Sequence, residues 1–168
     1  NNGPICAGSP LNLSIAPSPA VPLSGSYTFA WTGPNGFTSN QQNPTIANPT
    51  AAASGTYSCT ITSNCGNVTA TTQVVVNPNP VASITNNTGT TTIDCNTPAI
   101  NVTASGGGTY SWDNGLGSNA SVGITTAGTF TVTVTNAQGC TNTSSITTTV
   151  APTPTISMNP ATICTGQS

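Results

Sequence analysis

The sequence predicts an all-β protein made of tandem β-sandwich modules. Three observations carry this. Runs of Val, Ile, Thr, Tyr and Phe alternate with small polar residues, the period-2 signature of half-buried strands, and no stretch has a useful amphipathic helical period. Asn35-Gly36 and Asn114-Gly115 supply sharp turn signals after two of these runs. The chain also repeats itself.

The repeat is visible at several places. VVVNPNPVASI (74–84) matches TTVAPTPTISM (148–158), so that Pro78/Pro80 and Pro152/Pro154 lie 74 residues apart. GTYSCTITSNCGNVTATTQVVV (55–76) matches GTFTVTVTNAQGCTNTSSITTTV (128–150), with one extra residue in the second turn. PICAGSPLNLSI (4–15) matches TIDCNTPAINVT (92–103) and then TICTGQS at 162–168. We therefore expect one module over residues 1–78, a second over 79–151, and the opening of a third over 152–168. The Pro-x-Pro segments are short and extended, because proline fixes φ and pushes the preceding residue to extended geometry. The array is expected to continue beyond residue 168.

Taken in order, LNLSIA places Leu11, Leu13 and Ile15 on one face, and YTFAWT does the same for Tyr27, Phe29 and Trp31. TYSCTIT turns Tyr57, Cys59 and Ile61 inward, and VTATTQVVV closes the sheet. In the second module, INVTA offers Ile100, Val102 and Ala104, TYSW offers Tyr110 and Trp112, and TFTVTVT offers Phe130, Val132 and Val134. Strict alternation implies one buried face per sheet, with Thr, Ser and Asn outward. Trp31, Tyr57, Trp112 and Phe130 are the expected core anchors.

Composition removes whole classes of function. The 168 residues contain no Lys, Arg, His or Glu, and Asp94 and Asp113 are the only charged side chains. Phosphate contacts need cations, so no nucleic-acid partner is expected. No run of about 18 apolar residues could span a membrane, so no membrane insertion is expected. General acid–base catalysis has no His, Glu or Lys, and neither the serines nor Cys59 has a base to activate it. We expect no catalytic site. We expect no metal either: there is no CxxC pair, and Asp113-Asn114 reads as turn chemistry. No cofactor is implied. The six Asn-x-Ser/Thr sequons, at Asn12, Asn67, Asn86, Asn101, Asn119 and Asn142, are as many as 20 Asn and 52 Ser/Thr produce by chance.

An inward Trp followed by SGTYSC, with a Tyr two residues before a strand Cys, looks like the tyrosine-corner strand of immunoglobulin-like domains. CAG…WTGPNGF…SGTYSCTITSNCG resembles the immunoglobulin-like repeats of long Bacteroidota surface proteins. GGGTYSWDNG…AGTFTVTVTNAQGC resembles the repeats of their gliding-motility adhesin and is similar to PKD-like modules. The resemblance implies an extracellular, cell-surface array exported by the type IX route and serving as an adhesin stalk or filament. Its partners would be neighbouring repeats, identical chains in a fibre and surface glycans. The alternative is a glycan- or protein-binding immunoglobulin-like module accessory to a secreted enzyme or adhesin, using loop aromatics such as Phe37.

The repeat also sorts the cysteines. Module two has Cys95 before its first core strand and Cys140 in its last turn, matching Cys6 and Cys65. We expect two staples within modules, Cys6–Cys65 and Cys95–Cys140, each closing a loop that contributes roughly 4 kcal/mol. Cys164 matches Cys6 and Cys95, so its partner is expected past residue 168. Cys59 aligns with Val132 and is expected to be a buried free thiol. The immunoglobulin analogy offers Cys6–Cys59 as a rival pairing.

Overall fold

The computed structural model describes residues 1–15, 27–64 and 66–157. It is all-β, with fifteen strands among these residues. The first eight are β1 (Ile5–Cys6), β2 (Leu11–Asn12), β3 (Thr28–Gly33), β4 (Phe37–Ser39), β5 (Thr45–Ile46), β6 (Gly55–Ser63), β7 (Gly66–Val74) and β8 (Val76–Asn77). They form a four-stranded sheet in the order β4-β3-β6-β7, with the pairs β2-β5 and β1-β8 beside it. The other seven are β9 (Ser83–Asn86), β10 (Thr92–Ile93), β11 (Ile100–Ser105), β12 (Thr109–Trp112), β13 (Ser121–Ile124), β14 (Gly128–Thr135) and β15 (Thr141–Val150). Their sheets have the orders β10-β15-β14-β12 and β13-β11-β9. We call β1–β8 module one and β9–β15 module two. Each is an immunoglobulin-like sandwich.

Each module has its own core. Leu11, Leu13, Trp31, Tyr57, Cys59, Val74 and Val76 are buried together in module one. Ile93, Ile100, Val102, Trp112, Ile124, Phe130 and Val132 are buried together in module two. The same alternation builds both. Trp31 lies opposite Cys59 in the β3–β6 ladder, and Trp112 lies opposite Val132 in the β12–β14 ladder. Cys59 therefore fills the slot that module two gives to Val132. Both are fully buried, and Cys59 is a free thiol.

The turn signals work as their chemistry requires. Asn35 and Gly36 both have positive φ in the β3–β4 connection, and Asn114 and Gly115 do so after β12. Asp113 belongs to that second turn: its Oδ1 accepts from Thr131 N at 2.9 Å and from Asn114 Nδ2. Asp94 closes an Asx turn, accepting from Asn96 N at 2.8 Å and Thr97 N at 2.7 Å. Both carboxylates are thus engaged in backbone geometry.

The outward faces are stitched by neutral side chains. Thr60 and Thr69 lie 3.0 Å apart across β6 and β7; Thr129 and Thr147 lie 3.0 Å apart, and Thr131 and Ser145 3.1 Å, across β14 and β15. Cross-strand hydroxyl pairs of this kind stabilise a ladder without charge.

Candidate functional site

The chain's distinguishing chemistry lies between the modules. The closing strand of each sandwich is long, and it separates the two cysteines of a module. In module two, Cys140 directly precedes β15, whereas β10, just before Cys95, pairs with Thr149 and Val150 at the far end of that ten-residue strand. At about 3.3 Å per residue the two positions stand ~30 Å apart. A disulfide needs its Cα atoms within about 7 Å. The expected Cys95–Cys140 bond is therefore incorrect, and Cys95 is an exposed free cysteine. The same geometry governs module one. Cys6 pairs beside Asn77, past the end of β7, whereas Gly66 stands at the start of that strand.

The structure instead joins Cys6 to Cys140, across the modules, with a Cα–Cα distance of 5.5 Å and 134 residues between them in sequence. This overturns both the Cys6–Cys65 expectation and its Cys6–Cys59 rival. Cys65 and Cys164 lie outside the described residues. The repeat equates Cys6 with Cys95 and Cys65 with Cys140, and by strand register each pair is offset by one residue. The error was to pair them within a module, when the exit pole of one sandwich meets the hairpin pole of the next.

Polar contacts fix the linker in this joint. Asn136 Nδ2 donates to Pro78 O at 2.9 Å, and Asn142 Nδ2 donates to Pro80 O at 3.0 Å. Asn79 Nδ2 reaches back to Ala7 O at 3.1 Å. Asn136 also shapes the β14–β15 turn, its Oδ1 accepting from Cys140 N at 2.9 Å. One side chain thus both positions the half-cystine and holds the linker. Pro80 is buried. Proline carbonyls make good anchors here, because the residue has no N–H to compete and its φ is already set. Asn136 and Asn142 were not singled out from the sequence. Asn142 appeared only as a sequon, and its place opposite the buried Val134 was the available signal.

The remaining residues of interest are placed as follows. Trp31, Tyr57, Trp112 and Phe130 are all buried. Tyr57 forms the corner contact, its hydroxyl donating to Ala53 O at 2.9 Å. Phe37 is half-buried and meets Tyr57 edge-on, with ring centroids 5.5 Å apart, so its ring is part of the packing. Among the described residues no group of three or more His, Cys, Asp or Glu comes together, and no helix is long and apolar enough to cross a membrane.

Burial pushes the Cys59 thiol above its ordinary 9.0, against a smaller opposing effect of a backbone hydrogen bond at Ala30. Burial likewise pushes the Tyr57 phenol above 10.0. In both cases the folded chain holds the proton more tightly than the unfolded chain does. The associated stability is complete below the unfolded values and is lost as pH rises through the folded ones. The denaturation midpoint of module one is therefore expected to fall from about pH 9 upward. A midpoint that rises over that range would contradict this.

No protein-family model matches the chain. No curated protein matches it either. Among solved structures, it is similar to the three N-terminal domains of the outer capsid protein Hoc of bacteriophage RB49, at 18% identity and a TM-score of 0.42, over 87% of this chain and 55% of that one. It is similar to murine CEACAM1b at 16% identity and a TM-score of 0.39, over 88% of this chain and 95% of that one. It also resembles the N-terminal four immunoglobulin domains of Dscam1 isoform 6.9, at 16% identity and a TM-score of 0.37; it covers 42% of that structure, and 88% of this chain is matched.

Proposed function

We propose that this chain is a stretch of a structural array: repeat modules of a long extracellular surface protein, acting as an adhesin stalk or filament and without catalysis. The observation that carries this is the covalent joint. A bond between Cys6 and Cys140 lies within neither module, and it ties two successive modules together. Three asparagine side chains reinforce the same joint. A stalk needs this property, whereas a freely hinged tether of binding domains does not. The disulfide supports an oxidising, extracellular setting. The absence of Lys and Arg leaves no trypsin site on an exposed rod.

Small-angle X-ray scattering tests the rigidity. The oxidised chain is expected to fit one inter-module arrangement, and the reduced chain to need a distribution of them. Identical profiles before and after reduction would contradict the role of the joint. The parent reading frame tests the stalk itself: many further repeats support it, and a catalytic domain directly beside these modules contradicts it.

A further inference from the structure

Module two ends in a pole built like the exit pole of module one. In module one, β1 runs parallel to β8 and sets Cys6 beside Asn77, one residue before Pro78. In module two, β10 runs parallel to β15, with Ile93 opposite Val150 and Ala151 N donating to Ile93 O at 2.9 Å. Pro152 follows directly, and Cys95 sits two residues beyond Ile93, exposed and unbonded. Each pole presents a cysteine beside an outgoing Pro-x-Pro segment. At module one that cysteine is bonded to the hairpin of the next module.

We infer that the Cys95 pole is a covalent docking face for a following module of module one's kind, whose hairpin cysteine it takes as its disulfide partner. This rests on the reading of the chain as a tandem array. The sequence names the kind of module: residues after Pro154 reopen with Ile163-Cys164, the same pair as Ile5-Cys6, whereas module two opens with Ile93-Asp94-Cys95.

The register supports the match. Thr62 pairs with Asn67 and Thr135 with Thr141, so Gly66 is the counterpart of Cys140, and Cys65 stands one residue earlier. Cys95 is also shifted by one residue, since Asp94 intervenes where Cys6 follows Ile5 directly. A shifted cysteine on the exit pole thus meets a shifted cysteine on the incoming hairpin.

Val68 supplies a separate sign. It is the counterpart of Asn142, which holds Pro80 at the observed joint, and it is 69% exposed. On an incoming module of this kind, that valine would cover the corresponding linker proline. The bond forms by loss of two protons and two electrons from the two thiols. These pass to the disulfide of a thiol–disulfide oxidoreductase, which leaves as its dithiol.

The test is a longer chain, residues 1–164 continued by residues 7–151, oxidised by such an oxidoreductase, cut with pepsin and mapped without reduction. The expected result is a peptide joining Cys95 to the Cys65 residue of the second copy, beside an intact Cys6–Cys140 peptide. Cys95 still open to alkylation with Cys6–Cys140 intact overturns this inference and leaves the array reading standing. Absence of the Cys6–Cys140 bond overturns both. If the longer chain does not fold, the 168-residue chain decides. At high concentration its cross-chain bonds are expected to join Cys95 to Cys65 and to vanish with Cys65→Ser. Bonds only between two Cys95 residues overturn the inference.

Discussion

Replacing Cys6 by serine is expected to destabilise the chain by about 5 kcal/mol for full unfolding, from the entropy of closing a loop across 134 residues. The loss is shared unequally. Unfolding either module alone already opens a loop of roughly 60 to 70 residues, which accounts for about 4 kcal/mol of the effect. The staple therefore protects whichever module melts first. Trp31 and Trp112 are the only tryptophans, one per module, so fluorescence with single Trp→Phe backgrounds reports each unfolding separately. Cys140→Ser is expected to match Cys6→Ser, and the double variant to add nothing further. Cys95→Ser is expected to leave both midpoints in place, because Cys95 is exposed and unbonded. Equal losses from Cys95→Ser and Cys140→Ser would restore the intra-module pairing and contradict the structure.

Tyr57→Ala is expected to cost module one about 3–5 kcal/mol, the range for deleting a large buried ring. The ring is fully buried and packs on the backbone of Gly33, where an added Cβ would come within 2.4 Å of it. It also meets Phe37 edge-on, and its hydroxyl is bound to Ala53 O. A sandwich of this size is marginal, so the loss is comparable with its whole stability. Module one is expected to unfold while Trp112 keeps its buried emission, because the two cores share no residue. Tyr57→Phe keeps the ring and leaves the Ala53 carbonyl without its partner, at a cost of about 1–3 kcal/mol. Loss of the Trp112 signal together with that of Trp31 would show that the modules do not fold independently.

The strands were legible because alternation is a local property. Leu11, Leu13, Trp31, Tyr57, Phe130 and Val134 follow from period 2 alone, and all of them are buried. The slot shared by Cys59 and Val132 was legible because the repeat aligns β6 with β14. The joint was not legible. Which cysteines meet depends on where a strand's two ends lie in space, and sequence correspondence does not carry that. The ten-residue length of β15 holds the missing information: it sends Cys140 to one pole and the β10 end, with Cys95, to the other. Asn136 and Asn142 were hidden for a related reason. In a chain with 20 asparagines, two that grip a linker look like the rest until the linker is placed.

Pulling single molecules by their two ends tests the covalent joint most directly. In the oxidised chain, force passes from Cys6 through the bond to Cys140 and bypasses everything between them. Only the chain ends and β15 can extend, on the order of 30 Å for that strand. Reduction is expected to expose the 134-residue span and to add two unfolding events totalling ~440–480 Å of contour. Two such events in the fully oxidised chain, with no change on reduction, would contradict a staple that carries tension from one module to the next.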